Sequence, residues 1–404
     1  MNSRYIETLL SEISFGQNKM SFISGPRQCG KTTFGQMLLK ERGIGNYCNW
    51  DDIEFRRIWA KSPKSIVPVG KKHTPILILD EIHKSRLWKR ELKGLYDTLA
   101  SGLDILVTGS ARLNVYNRGS DSLVGRYYHF RMHPFSLGEM LGYLPLAPDE
   151  FILSLKNRVR KHRKAHITAF NALFKFGGFP EPLFAEDERK ARLWRTSRIE
   201  RVLREDLRDL SRIQEIGKLE MLAALIPERV GSLFSRASLR EILELSFDTV
   251  TRWTEALKEL YYIYEIKPWQ RNISRSIKKE GKVYLWDYSE IPSPPARFEN
   301  LIASHLLKAC HYWTDGGYGN FELCFIRNKE KEEIDFLVTK DKNPFLAVEA
   351  KWNEKEISPH WKKFHPHLKD AYCIQVTKEE IEWKKTSNSS INVCSASEFL
   401  SYLF

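Results

Sequence analysis

The sequence predicts an α/β protein made of several domains. From Met20 to about Ser136, short β-rich runs alternate with helical stretches, a pattern typical of a mostly parallel sheet with helices on both faces. A chain of 404 residues is also longer than one compact core usually accommodates. Because the character of the sequence changes further along the chain, we expect domains at residues 1–145, 146–216, 217–291 and 292–404.

The composition is basic and poor in organised cysteine. The chain has 64 Lys and Arg against 51 Asp and Glu, a formal net charge of +13, which points weakly to a polyanionic partner such as DNA. Its six cysteines form no C-x-x-C pair, which argues against a zinc ribbon or a disulfide framework. No leader peptide and no apolar run of membrane-spanning length are recognisable, so we expect a cytoplasmic protein without a membrane partner.

The first β-rich run leads into a phosphate-binding motif. The segment GPRQCGKT fits G-x-x-x-x-G-K-[ST] and precedes a helix, which predicts a P-loop for ATP and Mg²⁺. Lys31 would contact the β and γ phosphates, and the Thr32 hydroxyl would ligate Mg²⁺. A chance match in a glycine-rich turn is the alternative. The expected nucleotide-binding residues are Gly25, Pro26, Arg27, Gln28, Cys29, Gly30, Lys31, Thr32 and Thr33.

Later runs supply candidate residues for phosphoryl transfer. The apolar run ILILDE ends in Asp80, a candidate Mg²⁺ ligand, and Glu81, a candidate base for the attacking water. Ser110 ends the next run and could contact the γ-phosphate, while Arg126 could stabilise the transferred group. Arg126 could act within its own chain or across a subunit boundary of a homo-oligomer. The alternatives are surface acids at a strand end and an ordinary surface arginine.

Several motifs together resemble one protein family over nearly the whole chain. The segments GPRQCGKT, LDEIHK, TGSARL, LVGR, HPFSLGEM and GGFPEP are similar to those of bacterial and archaeal AAA-like, STAND-related P-loop ATPases. This resemblance implies ATPase activity, a helical lid after the sheet and a C-terminal nuclease-like domain of unknown function. It also implies that Pro180, in the lid, touches the nucleotide. Two departures are Cys29, where a small or apolar residue is usual, and Ala111, where serine is usual.

The segment 217–291 predicts a winged-helix domain. A capping box at Ser238 and Glu241 begins one helix, and an apolar-periodic helix follows from about Asp248. The runs YYIYEI and KVYLWDY would then pair as a hairpin across the basic loop Gln270–Lys279.

This domain could bind DNA or pack against protein. The second helix could enter the major groove, and the basic loop could contact phosphates. However, Glu255 and Glu259 on the same helix would repel phosphates, and the fold also serves in protein packing. The candidate DNA contacts are Thr249, Thr251, Arg252 and Lys258.

The last segment carries three acids and a lysine in a recognisable order. Glu299 lies in the predicted helix FENLIASHLLKAC, after the proline-rich run IPSPPARF that we interpret as a linker. Asp335 lies in the strand EEIDFLV, and Glu349 and Lys351 share one face of the strand FLAVEAKW. These parts resemble the PD-(D/E)XK core of restriction-endonuclease-like α/β domains.

That resemblance implies a second Mg²⁺ site, in which Glu299, Asp335 and Glu349 are the ligands and Lys351 positions the attacking water. The alternative is a salt-bridged strand that does no chemistry. Two functional hypotheses therefore stay open. One couples ATP hydrolysis to DNA binding and Mg²⁺-dependent cleavage, and the other is an ATP-gated switch or binding module with an inactive nuclease-like domain.

Overall fold

The structure is a computed structural model and describes residues 4–69, 74–99, 102–109, 123–160, 164–206, 215–269, 280–353, 356–385 and 391–404, with the side chains of 205 and 206 excepted. These residues form two compact units. We call Ser3–Pro134 the P-loop unit and Phe135–Phe404 the C-terminal unit. In the part of the chain that the structure describes, no helix is both long enough and apolar enough to cross a membrane.

A parallel sheet forms the centre of the P-loop unit, as predicted. Its strand order is β2-β3-β4-β1-β5, and every pair of neighbours is parallel. The strands are β1 (Met20–Ser24), β2 (Gly45–Asn49), β3 (Ile76–Asp80), β4 (Asp104–Gly109) and β5 (Tyr127–Arg131). All residues of β1, β3 and β4 are buried, which explains their continuous apolar sequence because helices cover both faces.

The helices of this unit follow the strands in alternation. They are α1 (Ile6–Leu9), α2 (Lys31–Arg42), α3 (Ile53–Lys61) and α4 (Trp88–Asp97). On one face, Phe22 and Leu79 of the sheet lie in a core with Trp59 of α3 and Leu92 of α4. The carboxyl ends of the parallel strands consequently meet at one edge, where α2 begins.

The C-terminal unit begins with helices. They are α5 (Leu137–Met140), α6 (Pro148–Asn157), α7 (Lys164–Phe176), α8 (Pro180–Ala185), α9 (Glu188–Arg201), α10 (Ile216–Leu225), α11 (Arg236–Leu243) and α12 (Phe247–Glu259). The predicted capping box at Ser238 is wrong, because α11 begins earlier: the Ser235 side chain accepts a hydrogen bond from the backbone of Ser238.

An eight-stranded sheet forms the rest of this unit, in the order β12-β13-β11-β10-β9-β8-β6-β7. The strands are β6 (Ile263–Pro268), β7 (Lys282–Leu285), β8 (Phe321–Arg327), β9 (Glu333–Lys340), β10 (Asn343–Lys351), β11 (Tyr372–Thr377), β12 (Lys384–Lys385) and β13 (Asn392–Ser395). The predicted hairpin of β6 and β7 is confirmed, with Ile263 opposite Leu285. Since β6 also pairs with β8, the predicted boundary at 291/292 crosses one continuous sheet, and the domain limits stay a prediction.

A long helix, α13 (Pro294–Asp315), packs against this sheet. Two short helices, α14 (Trp361–Phe364) and α15 (Ala396–Ser401), complete the unit. The predicted linker IPSPPARF is therefore wrong in its second half. Pro294 and Pro295 form the first turn of α13, where a helix needs no backbone N–H donors, and Glu299 lies in the second turn rather than the first.

Candidate nucleotide site and acid cluster

Asp80 is the centre of the polar contacts at the carboxyl edge of the parallel sheet. Its Oδ2 accepts hydrogen bonds from Thr32 Oγ1 and from the Tyr47 hydroxyl, each at 2.7 Å. Its Oδ1 accepts from Thr108 Oγ1 at 2.5 Å. Asp80 is 1% exposed, so neutral hydroxyl groups largely replace water around its carboxylate. The two predicted Mg²⁺ ligands of the P-loop unit, Thr32 and Asp80, are thus brought into contact.

The P-loop leaves no room for larger side chains where it turns. A Cβ atom on Gly25 would lie 2.2 Å from the Met132 carbonyl oxygen, and Gly30 has φ +97°, a value that favours glycine. Lys31 Nζ donates to the carbonyl oxygens of Gly25 at 2.9 Å and Pro26 at 2.7 Å. Helix α2 begins here without a side-chain cap, so the loop and helix terminus fit a phosphate group.

The other predicted loop residues differ in exposure. Cys29 is buried, and its carbonyl accepts a hydrogen bond from the buried Arg4 guanidinium at 2.9 Å, which fixes the loop to the start of the chain. Arg27 and Gln28 are half-buried, and Thr33 is exposed. Gln28 has φ +62°, so the backbone makes its left-handed turn at a residue other than glycine.

Glu81 follows Asp80 at the same edge of the sheet. Its backbone is left-handed, with φ +59°, a conformation found mostly where the surrounding structure imposes it. Burial raises the pKa of Glu81, and the charges of Lys31 and Lys84 oppose that rise. The Lys84 ammonium lies 3.7 Å from Glu81 Oε2. Glu81 therefore has the position and the environment of a candidate general base.

Three further predicted residues have separate outcomes. Ser110 lies outside the described residues. Arg126 forms a two-pronged ion pair with Asp97, at 2.7 and 3.1 Å, and its carbonyl oxygen accepts from Met20 N where β1 begins. Since the five residues of β1 span about 16 Å, Arg126 lies at the edge of the sheet opposite the P-loop. Pro180 begins α8 and belongs to the C-terminal unit.

The Thr32–Asp80 pair fits a Mg²⁺ ion that arrives with a nucleotide. Such ions are usually held by one or two protein oxygens together with phosphate oxygens rather than by a complete protein cage. Within the described residues, no group of three or more His, Cys, Asp or Glu side chains is arranged to hold a metal ion. The site at Asp80 would require no such group, because phosphate oxygens of a bound nucleotide would complete the coordination shell.

In the C-terminal unit, strands β9 and β10 bring three of the four nuclease-like residues together. The strands are antiparallel, and Asp335 N donates to Glu349 Oε2 at 3.2 Å. In return, Ala350 N donates to Asp335 Oδ2 at 2.9 Å. Lys351 Nζ lies 3.0 Å from Glu349 Oε1, so the predicted shared face is confirmed. We call Glu299, Glu333, Asp335 and Glu349 the acid cluster.

A buried lysine from another strand occupies this cluster. Lys282, the first residue of β7, is 1% exposed. Its ammonium nitrogen lies 2.8 Å from Glu333, 3.5 Å from Glu299 and 4.0 Å from Asp335. Burial alone would lower the pKa of Lys282, but the neighbouring carboxylates raise it above its usual value, so the lysine is a cation.

Hydrogen bonds between α13 and β7 hold this lysine against the acids. Asn300, which is fully buried, accepts from Leu285 N at 2.7 Å and donates to Leu285 O at 2.9 Å, as a neighbouring strand would. The next residue toward the N-terminus is Glu299, whose Oε1 accepts from the Tyr284 hydroxyl at 2.8 Å. Neither Lys282 nor Asn300 was predicted as a site residue, because no local pattern marks either one.

The acid cluster does not fit the metal ion that the nuclease resemblance implies. Each oxygen of Glu349 and Asp335 already faces a backbone N–H group or a lysine. Burial raises the pKa of Glu299, of Asp335 and of Glu349, and the lysines oppose that rise. The metal-ligand roles predicted for Glu299, Asp335 and Glu349 therefore have no support in this arrangement.

The predicted DNA contacts on α12 are only partly available. Lys258 Nζ lies 2.8 Å from Glu255 and 3.2 Å from the buried Glu265. Arg252 is exposed, whereas Thr249 is half-buried and exchanges a hydrogen bond with Ser246, and Thr251 is half-buried too. The basic loop, residues 270–279, lies outside the described residues.

Three segments of the chain match known domain families. Residues 17–141 match the family of AAA domains. This match supports the predicted AAA-like, nucleotide-binding P-loop ATPase, while the STAND relationship stays a prediction. Residues 167–289 match a domain of unknown function, DUF8612, and residues 296–398 match another, DUF4143. Neither description tests the winged-helix or nuclease-like predictions.

Three uncharacterized proteins are similar to this chain over about two thirds of its length or more. The uncharacterized protein MJ1544 of Methanocaldococcus jannaschii is 22% identical over 400 residues, 95% of this chain and 86% of that protein. An uncharacterized protein of Haemophilus influenzae is 21% identical over 336 residues, 77% of this chain and 80% of that protein. The uncharacterized protein Rv2008c of Mycobacterium tuberculosis is 24% identical over 265 residues, 66% of this chain and 53% of that protein.

Two solved structures show weak likeness. The Aeropyrum pernix ORC1 protein in complex with DNA has a TM-score of 0.31 and 14% identity, covering 74% of this chain and 93% of that chain. AMPPCP-bound DnaA from Aquifex aeolicus has a TM-score of 0.27 and 16% identity, covering 63% of this chain and 86% of that chain. Likeness at this level carries no argument about the present chain.

Proposed function

We propose that this protein is a Mg²⁺-dependent ATPase in which the P-loop unit acts as a nucleotide-driven switch, and that the C-terminal unit binds a partner without cutting it. The observation that supports the ATPase most directly is the contact of Thr32 with Asp80 at the end of the parallel strands. The AAA match over residues 17–141 agrees with that assignment.

The residues at this edge would divide the work of ATP hydrolysis. Lys31 would exchange its two carbonyl partners for the β and γ phosphates, since its ammonium already lies inside the loop. Thr32 and Asp80 would hold Mg²⁺, which supplies charge neutralisation on the phosphates. Glu81 would orient the attacking water and accept its proton, a role for which a raised pKa is suitable.

Arg126 would act only in a homo-oligomer. Its own P-loop lies at the opposite edge of the sheet, so it would have to reach the nucleotide of a neighbouring copy. The ion pair with Asp97 would then have to open in the assembled state.

DNA is our proposed partner, on the strength of the net charge of +13. Anisotropy of a labelled duplex measures this directly, at two salt concentrations and with or without an ATP analogue. Binding that weakens with salt and responds to the nucleotide supports the proposal. Absence of binding to duplex and to single strands at low salt would exclude DNA as the partner.

The test of the main proposal measures ATP turnover and cleavage in the same samples. Wild type and the variants Lys31→Ala and Glu81→Gln are incubated with Mg²⁺ and ATP on plasmid, linear and single-stranded DNA and on RNA, and Asp335→Asn is added as the control for cleavage. We expect turnover in wild type, loss in both variants, and no cleavage that depends on Asp335. Full turnover in Lys31→Ala would refute the ATPase assignment, and cleavage that disappears in Asp335→Asn would refute the non-cutting unit.

A further inference from the structure

We propose that Lys282 is a built-in cation that takes the place of a metal ion in the acid cluster, so that removing it creates a divalent-cation site. This inference rests on the proposed non-cutting C-terminal unit and gives it a physical cause. The key observation is that one ammonium group contacts the carboxylates of Glu333 at 2.8 Å and Glu299 at 3.5 Å and approaches Asp335 at 4.0 Å.

Strand pairing fixes the backbone of Lys282, and side-chain contacts fix its ammonium group. Its backbone lies between Ile266 of β6 and Leu233, to which it is bridged on the other side. The ammonium lies 5.5 Å from the centre of the Phe325 ring, so an aromatic face covers it. The Lys282 side chain is 1% exposed, so these contacts take the place of water around its ammonium group.

The charges of the cluster also match one additional divalent ion when the lysine is absent. Among the described residues, its four carboxylates face three cationic groups, Lys282, Lys351 and Arg327, of which Arg327 lies 2.9 Å from Glu333. With Lys282 these charges sum to −1, and without it they sum to −2, which is the charge that one Mg²⁺ or Mn²⁺ would neutralise. Carboxylate oxygens are the ligands that these ions prefer.

The space around the carboxylate of Glu299, beside the ammonium, is limited. A Cβ atom on Gly231 would lie 2.9 Å from both oxygens of Glu299, so the neighbouring loop approaches the carboxylate closely. A metal ion and the Lys282 side chain would compete for the same carboxylates. Truncation of the side chain to alanine removes both the charge and the volume, whereas methionine removes only the charge.

The experiment counts Mn²⁺ bound to nucleotide-free protein by the loss of the free-ion EPR signal. Wild type should show no Mn²⁺ binding that Asp335→Asn abolishes. Lys282→Ala should bind one Mn²⁺ at least about tenfold more tightly than wild type, because a repelling charge within 4 Å of the ligands has gone. The double variant Lys282→Ala with Asp335→Asn should lose this binding.

Lys308 offers a matched control in the same unit. It is also a buried lysine, 2% exposed, and it contacts the carboxylate of Glu139 and the Ser136 hydroxyl. Because it contacts a carboxylate and a hydroxyl rather than the four acids of the acid cluster, Lys308→Ala should gain no Mn²⁺ binding. Circular dichroism and thermal unfolding confirm that each variant is folded.

Two results would overturn the inference. One is Mn²⁺ binding by wild type that Asp335→Asn abolishes, which requires no folded Lys282 variant. The other is a folded Lys282→Ala protein that binds no Mn²⁺ at millimolar concentration. Failure of the proposed function would give different results, namely Asp335-dependent cleavage or ATP turnover that survives Lys31→Ala. Neither of these is measured by Mn²⁺ binding to the nucleotide-free protein.

Discussion

The two places where the sequence predicts Mg²⁺ ligands differ in what surrounds their carboxylates. Around Asp80 the partners are the hydroxyl groups of Thr32, Tyr47 and Thr108, which carry no charge. Around Asp335 the partners are a backbone N–H group and, at 4.0 Å, the Lys282 ammonium. Hydroxyl partners leave the negative charge available for a metal ion, whereas a lysine cancels it. An acid at a sheet edge thus indicates a position for a cation but does not decide which cation fills it.

Neutralising each aspartate in turn should give the largest difference between the two sites. We expect Asp80→Asn to lower kcat for ATP hydrolysis at least about a hundredfold, because the Mg²⁺ shell loses its charged ligand. Asp335→Asn should change the same kcat by less than about twofold. A coupled ATPase assay at saturating Mg²⁺ measures both, and similar kcat values for Asp80→Asn and wild type would contradict the account.

Removal of the buried ammonium should lower the stability of the C-terminal unit and not the rate of ATP turnover. Lys282→Met should lower the free energy of unfolding of the C-terminal unit by about 3 to 5 kcal/mol, because it leaves carboxylates buried without their cation. Arg327→Met is the control, since Arg327 contacts the same Glu333 but its side chain is 27% exposed, and it should cost less than about 1 kcal/mol. Urea unfolding followed by tryptophan fluorescence measures both, and equal losses would contradict a special role for Lys282.

Acid pH should weaken the C-terminal unit through a buried histidine that is held neutral. Burial lowers the pKa of His305 to about 4, with smaller effects of Lys308 and Glu139. The ring accepts a hydrogen bond from Leu137 N at 3.1 Å and contacts the Leu301 carbonyl at 2.8 Å, so the neutral form is the one that fits.

The sign follows from the two pKa values. The unfolded chain takes up a proton near pH 6.5 and the folded chain near 4, so stability from neutral His305 is full above pH 6.5 and is lost as the pH falls toward 4. The loss is on the order of 3 kcal/mol at most. Unfolding of wild type and His305→Gln at pH 7.0, 5.5 and 4.5 measures it; a stability difference between the two that does not change with pH would refute this role.

The smallest expected effect concerns one hydroxyl at Asp80. Tyr47→Phe removes one of three hydrogen bonds to that carboxylate, so the Mg²⁺ concentration for half-maximal ATP turnover should change by about three- to tenfold. Tyr128→Phe, in the same unit but 40% exposed, should leave it unchanged. An unchanged Mg²⁺ dependence in Tyr47→Phe would show that Thr32 and Thr108 suffice to position Asp80.

Local pattern was enough to predict the parts of each site that lie on one element. The P-loop, the strand that ends in Asp80 and the shared face of Glu349 and Lys351 follow from motif spacing and strand periodicity. The parallel character of the sheet follows from the alternation of apolar runs and helices, because parallel neighbours need crossover connections, whereas the strand order was not predicted.

The residues that decide the chemistry came from elsewhere in the chain and were not predictable in this way. Lys282 reaches the acid cluster because β6 joins β7 to the sheet of the last segment, a pairing between strands that are distant in sequence. Asn300 fixes that arrangement through the backbone of Leu285 and has no local signature. Tyr47 likewise ends near Asp80 only through the parallel pairing of β2 with β3.

Asp80 should belong to a metal site, and the acid cluster should not. The number of Mn²⁺ ions bound per chain distinguishes the two. The free-ion EPR signal is titrated with wild type, Asp80→Asn and Asp335→Asn, with and without a non-hydrolysable ATP analogue. We predict one Mn²⁺ per chain, bound only with the analogue, lost in Asp80→Asn and retained in Asp335→Asn. Binding of Mn²⁺ without nucleotide that depends on Asp335 and not on Asp80 would contradict the account.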